Sequence, residues 1–493
     1  MNLVGVDLNS TRLRAVHGNP GVATPLALED ERPELNLAIS LEGRTALVGR
    51  AGTALERAKP HLACTDYLGH LGQRREWKAG RHRFDPAAAL GLTLDQLRGT
   101  VGRTAGVTVT LPTYLDETQT ATIAELARKA RWPLLGTVPA PIAAALAGHE
   151  RLPWSGSALV VDVDRHALTW SAVSLYADQV QLDQTRAVPG LGTRAWLNRL
   201  LDRVADRCVR LTRRDPRDCP EAEQSLFDQL TDGLEVLAHG GPLDLSIQSP
   251  HWFQHLSLRS AEVAHFCMPL LRQAVAELHA FLPLASARGT VTTILFTASA
   301  GCLPGLTAAV EDSLRLPVAP PAPANPDDFG EDLLLEENPS SARLHVLDPD
   351  AVARAAHELA ARQQRGDLPR GSLDGVPLLA SGSPQAGPAR LLFENRDYFL
   401  SGKVFTLGRD PACDLVFASE RYPTVSARHC EIVHDRFAYL LRDRSRHGTL
   451  VNDVLVSGQV ALRSGDWIRM GPGGPLLRFL GQAADQLKVV TIA

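Results

Sequence analysis

The chain has 493 residues, more than the roughly 100–200 of one typical domain, so the length predicts at least two. Its 44% apolar and 22% charged residues exclude a globally disordered polymer. A balance of 51 basic against 55 acidic groups, net −4, excludes nucleic-acid binding driven by charge over the whole surface.

In chain order, residues 1–10 already carry Asp7 where a signal peptide would be apolar, and no run reaches the roughly 18 apolar residues of a spanning helix. No membrane span is expected, and the chain reads as cytoplasmic. Leu3–Val6, Val107–Leu111, Ala158–Val161 and Thr293–Phe296 are short apolar runs, each the pattern of a strand buried on both faces. Asp116 with Gln119 three positions on predicts a capping box opening a helix over 117–131. Asp348-Pro349 predicts a cap and first-turn proline ahead of a helix over 351–362. Strands alternating with helices predict an α/β domain over 1–365, and no internal repeat is visible.

Residues 317–338 are Pro-rich, then acidic (Asp327, Asp328, Glu331, Asp332, Glu336, Glu337). They read as a solvated insertion or as a docking segment for a basic partner. Residues 366–389 are rich in Gly, Pro and Ser and read as an interdomain linker. From 390 to 493 the runs are short and extended, with turn signals at 400–403, 409–411 and 464–466, which predicts an all-β sandwich. The seven cysteines form no C-x-x-C pair and read as reduced and mostly buried. All cations but Lys59, Lys78, Lys129, Lys403 and Lys488 are Arg, which suits phosphate recognition and follows equally from a GC-rich genome.

Five landmarks come in a recognisable order: Val4–Thr11, Val109–Gln119, Pro139–Ala147, Leu159–Asp162 and Asp348–Ala353. In that order they resemble the nucleotide-binding domain of DnaK-type heat-shock chaperones, within the actin-like ATPase superfamily. The resemblance implies a duplicated ribonuclease H-like α/β fold that holds ATP with Mg between two hairpin loops. Under it Asp7, Ser10, Thr11, Asp162 and Glu235 are remnants of the nucleotide site, and Asp7 and Asp162 would carry metal-linked chemistry. Taken alone, both Asp residues read equally well as strand-end groups capping turns. The pattern is degraded. Asn9 replaces one glycine, Asp164-Arg165-His166-Ala167 replaces a glycine-rich run, Ala140 replaces a catalytic glutamate, Ala238 replaces a lysine and Thr297–Gly301 replaces a double-glycine loop. Side chains thus occupy space where backbone should approach phosphate, and Asp164 would repel it. The expectation is a pseudo-ATPase scaffold without catalytic residues or a cofactor. The alternatives are a chaperone-like switch that binds ATP with Mg, and an actin-like assembly subunit.

Phe405–Arg409, Cys413–Leu415, Val425–His429, Asp443–Asn452 and Leu462–Gly471 resemble a forkhead-associated domain, a sandwich that reads phosphothreonine. The resemblance implies phosphate binding by Arg409 and Ser426, with Arg428 one place from the usual second polar residue and His429 bracing the site from inside. His447 stands where the family has an asparagine that grips the peptide backbone; a His still donates one hydrogen bond. Arg436, Arg442, Arg444 and Arg446 form a positive strip, read as solvated strand faces or as a reader of acidic flanks. His429–His434 suggests no metal site, because adjacent strand positions face opposite sides. The function these readings predict is a phosphothreonine-dependent adaptor under Ser/Thr kinase control. Its partners are phosphothreonine-containing proteins, with no nucleic acid and no metal.

Overall fold

β1 (Leu3–Leu8) is buried at every position, and such a strand needs neighbours on both edges and cover on both faces. It pairs antiparallel with β2 (Arg12–Asn19), which pairs antiparallel with β3 (Val22–Pro25). On its other edge β1 runs parallel to β4 (Gly106–Leu111), and β4 parallel to β5 (Leu134–Pro139). A second sheet repeats this order. β6 (Gly156–Val163) pairs antiparallel with β7 (Leu168–Tyr176), β7 antiparallel with β8 (Gln179–Val188), β6 parallel with β9 (Val291–Phe296), and β9 parallel with β10 (Arg343–Val346). The first unit is therefore a mixed α/β fold duplicated in topology, although its sequence shows no repeat. A sheet constrains burial and direction, which many residue choices satisfy.

The structure is a computed structural model describing residues 2–152, 154, 156–176, 179–286, 291–315, 342–378, 389–393, 396–400, 404–435, 438–452, 454–456, 458–462 and 466–480. It divides into two units, 1–380 and 381–493. Helix α1 (Glu117–Lys129) opens with the expected capping box. Asp116 Oδ1 accepts from the Gln119 amide at 2.7 Å, and Gln119 Oε1 accepts from the Asp116 amide at 2.9 Å. Helix α2 (Ala140–Arg151) is almost wholly buried. Helix α3 (Pro220–Ala238) shares one core with the second sheet through Leu159, Trp170, Leu226, Leu230 and Phe296. Helix α4 (Ala351–Arg365) joins α2 in the core between the sheets, with Ile142, Val160, Leu295 and Leu359. α4 crosses β1 so closely that a Cβ on Gly5 would lie 2.2 Å from Ala353 O and His357 N. Only glycine permits that approach.

Two sequence expectations need correction. Asp348-Pro349 does not cap α4: the Ala351 amide donates to Asp348 O in a turn, Asp350 holds the cap position, and its carboxylate bonds Arg354 instead of the backbone. The expected linker also begins too early. β11 (Gly371–Ser372) extends the first sheet beside β5, and β12 (Gly375–Pro377) extends the second beside β8. Leu373 and Val376 are buried, so this Gly-rich stretch has apolar anchors that its composition obscured. Residues 379–388 of the expected linker, and the 317–338 insertion, lie outside the described residues.

The second unit is a β-sandwich. One sheet contains Arg390–Phe393, Leu476–Leu480, Trp467–Met470 and Thr449–Val451; the other contains β13 (Val404–Gly408), β14 (Cys430–Asp435) and β15 (Ala438–Asp443). Leu391, Phe405, Leu407, Ile432, Leu441, Ile468, Leu477 and Phe479 fill the space between them. All seven cysteines are free thiols and five are buried; burial pushes Cys64 up to about 12. Among the described residues, no helix is long and apolar enough to cross a membrane.

Candidate functional site

In the first unit β1 and β6 each lead into a hairpin, and the fold brings the two tips together. The Ser10 amide donates to Asp164 Oδ2 at 3.0 Å, the His166 amide to Ser10 Oγ at 2.9 Å, and the Arg165 amide to Thr11 Oγ1 at 2.7 Å. Asp164 Oδ1 accepts from the His166 and Ala167 amides at 2.9 and 3.0 Å, and the Tyr114 hydroxyl donates to Oδ2. Burial, then the neighbouring Asp164 carboxylate, pushes Tyr114 well above the ordinary phenol range, so it stays a donor. Asn9 does not use the left-handed backbone that a glycine would favour. Its Oδ1 caps the turn instead, accepting from the Thr11 and Arg12 amides at 3.0 Å.

Asp7 accepts from Thr110 Oγ1 at 3.0 Å and faces the buried Arg12 guanidinium at 3.4 Å. Arg12 also donates to Ser299 Oγ at 3.0 Å and lies 3.5 Å from Glu34. Asp162 accepts from Thr297 Oγ1 at 2.7 Å. Loss of solvation raises Asp162 to about 6; the Thr297 hydrogen bond opposes the shift and the Asp7 and Asp164 charges add to it. Asp7, Ser10, Thr11 and Asp162 thus converge, and neither aspartate caps its own turn. Glu235 makes no hydrogen bond or ion pair with them among the described residues, although its charge and those of Arg12 and Arg14 all act on Cys302. Glu235 is exposed on α3, where it lines a shallow cavity of about 390 Å³ with Asp232, Val236, His239 and Gly241. A larger cavity, about 750 Å³, runs along α1 and β5 and contains none of the five residues.

ATP with Mg does not fit this arrangement. The Ser10, His166 and Ala167 amides that would wrap a phosphate already donate to Asp164, and Asp7 is already countered by Arg12. Among the described residues no group of three His, Cys, Asp or Glu is placed to hold a metal ion. Arg12 and Tyr114 were not singled out from the sequence. The signal available for Arg12 was a pair of cations, Arg12 and Arg14, opening a strand whose partner strand carries Asp7.

In the second unit Gly408 ends β13 against the Ser426–Arg428 loop so tightly that a Cβ there would lie 2.1 Å from Ala427 O. The Arg409 and Asp410 amides donate to Ser426 O and Ala427 O at 3.1 and 2.9 Å. Beneath them His429 is fully buried. Its Nδ1 accepts from the Ser426 amide at 3.0 Å and its Nε2 bonds Gly448 O at 3.3 Å, so the proton sits on Nε2. Asp443 Oδ1 accepts from the Ser445 amide and Thr449 Oγ1, shaping the next loop, whose Gly448 has φ 79°. That loop brings the Arg446 amide to Ser426 Oγ at 3.1 Å. Residues 405–471 match the family profile of the FHA domain. This segment is an FHA domain.

No curated protein matches the chain as a relative. Within the FHA domain, Arg409, Ser426, Arg428 and His447 lie around one surface, and a fifth residue, Arg446, joins them. The side chains of Arg409 and Arg446 make no hydrogen bond among the described residues, and Arg428 approaches only Asp410, at 3.9 Å. The positive strip divides. Arg442 and Arg444 both lie by Glu431, at 3.8 and 3.1 Å, whereas Arg446 is exposed and its amide bonds Ser426 Oγ. Arg436 lies outside the described residues. His429 and His434 are not brought together on a ligand: His429 braces the loop, and His434 stacks on Tyr439 with 4.3 Å between ring centroids.

Proposed function

We propose that the chain is a phosphothreonine-dependent adaptor in which the FHA domain docks phosphorylated partners onto a non-catalytic first unit, placing an assembly under Ser/Thr kinase control. The observation that carries it is that three arginine-bearing loops meet at Ser426: the Arg409 amide donates to Ser426 O, the Arg446 amide to Ser426 Oγ, and Arg428 follows two residues on. The Arg409 and Arg446 guanidinium groups make no hydrogen bond among the described residues and Arg428 lies 3.9 Å from Asp410, whereas the neighbouring Arg444 is held by Glu431 at 3.1 Å and Arg442 donates to Gln459 at 3.1 Å. A phosphothreonine carries nearly two negative charges and several acceptor oxygens, and converging charge-assisted donors are what it requires.

For the first unit we favour a degenerate relative of the DnaK and actin-like ATPases that serves as a scaffold. Two sheets of one strand order, with their hairpins meeting tip to tip, support the kinship; the filled hairpins argue against turnover. A switch driven by ATP with Mg is the weaker reading for the same reason, and cytoplasmic residence accords with kinase control.

Titration calorimetry of the full chain against matched peptide pairs tests the adaptor role. Phosphothreonine peptides should bind and their unphosphorylated twins should not; equal binding of both would end the proposal. The site also predicts a gain of function. His447→Asn supplies a donor and an acceptor side by side on one amide plane, the pairing a peptide unit presents, whereas the donor and acceptor nitrogens of the imidazole point apart. It should tighten phosphopeptide binding by about 0.5–1.5 kcal/mol, one neutral hydrogen bond. Unchanged or weaker binding in the same titration would remove His447 from the peptide-contacting set.

A further inference from the structure

Backbone N–H groups enclosed in a loop must find acceptors, and hairpins built to wrap an anion leave several pointing at one spot. In the first unit that spot is filled from within. Asp164 is 3% exposed, and its two oxygens take the Ser10, His166 and Ala167 amides and the Tyr114 hydroxyl, so donors from both halves of the unit end on one carboxylate. Beside it the opposite charge is also supplied internally. Arg12, 8% exposed, faces Asp7 at its own strand end and reaches Ser299 just beyond β9 of the other sheet. Arg165 adds an outer clasp, a two-pronged pair to Glu56 at 2.8 Å on both arms, with Asp66 on its third nitrogen.

We propose that the first unit is self-liganded: the Asp164 carboxylate takes the place of a bound anion and the Arg12 guanidinium that of a bound cation, latching the two halves together without nucleotide or metal. The inference rests on the scaffold reading of this unit and deepens it. Hydrogen bonding favours it. A buried carboxylate or guanidinium without partners would be costly, whereas here Asp164 takes four donors drawn from both sides of the cleft, and Arg12 pairs with Asp7 and bonds Ser299 across it. The unit thereby gains permanent closure and loses the vacancy that a cycling ATPase needs.

Hydrogen exchange on the full-length protein tests this. In ligand-free wild type, peptides covering residues 6–16 and 162–168 should exchange slowly, and adding ATP with Mg, or inorganic phosphate, should change nothing. Asp164→Asn keeps the shape but sets a donor against the Ser10 amide and the Tyr114 hydroxyl. It should speed exchange of both peptides about tenfold or more, as should Asp164→Gly, and in the glycine variant inorganic phosphate should restore part of the protection. Should Asp164→Gly fail to fold, the asparagine variant and the wild-type titration still decide. Rapid exchange in ligand-free wild type that slows with ATP and Mg, or unaltered exchange in Asp164→Asn, would overturn the proposal. Phosphopeptide titration of the same variants should match wild type, so a failed latch and a failed adaptor assignment register in different measurements.

Discussion

Arg409→Ala should leave the fold intact and weaken phosphothreonine-peptide binding by about 1.5–3 kcal/mol, the worth of a hydrogen bond to a charged group, or roughly ten- to 150-fold in Kd. The residue's backbone is fixed: its amide donates to Ser426 O, and Gly408 lets β13 close on the Ser426–Arg428 loop. Its side chain is exposed and makes no hydrogen bond among the described residues, so truncation removes no packing and strands no buried partner. Stability should therefore change by less than about 0.5 kcal/mol, as for most surface substitutions. Arg446→Ala should cost less, because the amide that bonds Ser426 Oγ survives the change. The paired titration has a clear negative outcome. If Arg409→Ala binds phosphopeptide as wild type does, the phosphate is not read at this strand end.

The two units differed in how much of them the sequence disclosed. The FHA domain was legible because its characteristic residues cluster in short loops: Arg409, Ser426, Arg428 and His447 fall within three turns, and hydrogen bonds join those turns. Arg446 was noticed only as part of a charged strip. Which Arg is drawn to Glu431 depends on where that carboxylate sits across the β14–β15 pair, and that is a matter of strand register. In the first unit the strands at Leu3–Val6 and Ala158–Val161 could be read from apolar runs, and the hairpins from the aspartates ending them. The content of the cleft could not. Asp164 invites the reading of a repelling charge until its four donors are known, and two of them, Tyr114 and Ser10, lie 50 and 154 positions away. Glu235 was placed by analogy alone, and its helix turns it to solvent.

His429 should have the largest effect on the second unit, although it touches no ligand. Its neutral ring joins two loops: Nδ1 accepts from the amide of Ser426, which carries the candidate phosphate-binding hydroxyl, and Nε2–H donates to Gly448 O beside His447. His429→Ala strands both backbone groups in the interior, at about 1–3 kcal/mol each, and opens a cavity besides. A loss of about 3–5 kcal/mol is expected, a large share of a small domain's stability, and phosphopeptide binding should fall with it. The same ring sets a pH limit. Burial lowers its pKa from the ordinary value; the Gly448 carbonyl and the Asp443 charge pull the other way, and His447 adds to the lowering. The folded state thus binds a proton less readily than the unfolded chain. The ring's contribution is complete above about pH 6.5 and declines as the pH falls through that value toward the folded pKa, where a proton on Nδ1 would face the Ser426 amide. Protection of the Phe405 and Leu407 amides, next to this brace, corrected for the intrinsic pH dependence of exchange, should fall in acid in wild type and be low at all pH values in His429→Ala. Protection of these amides that is unaffected by pH and by the substitution would show that the loops hold without the imidazole.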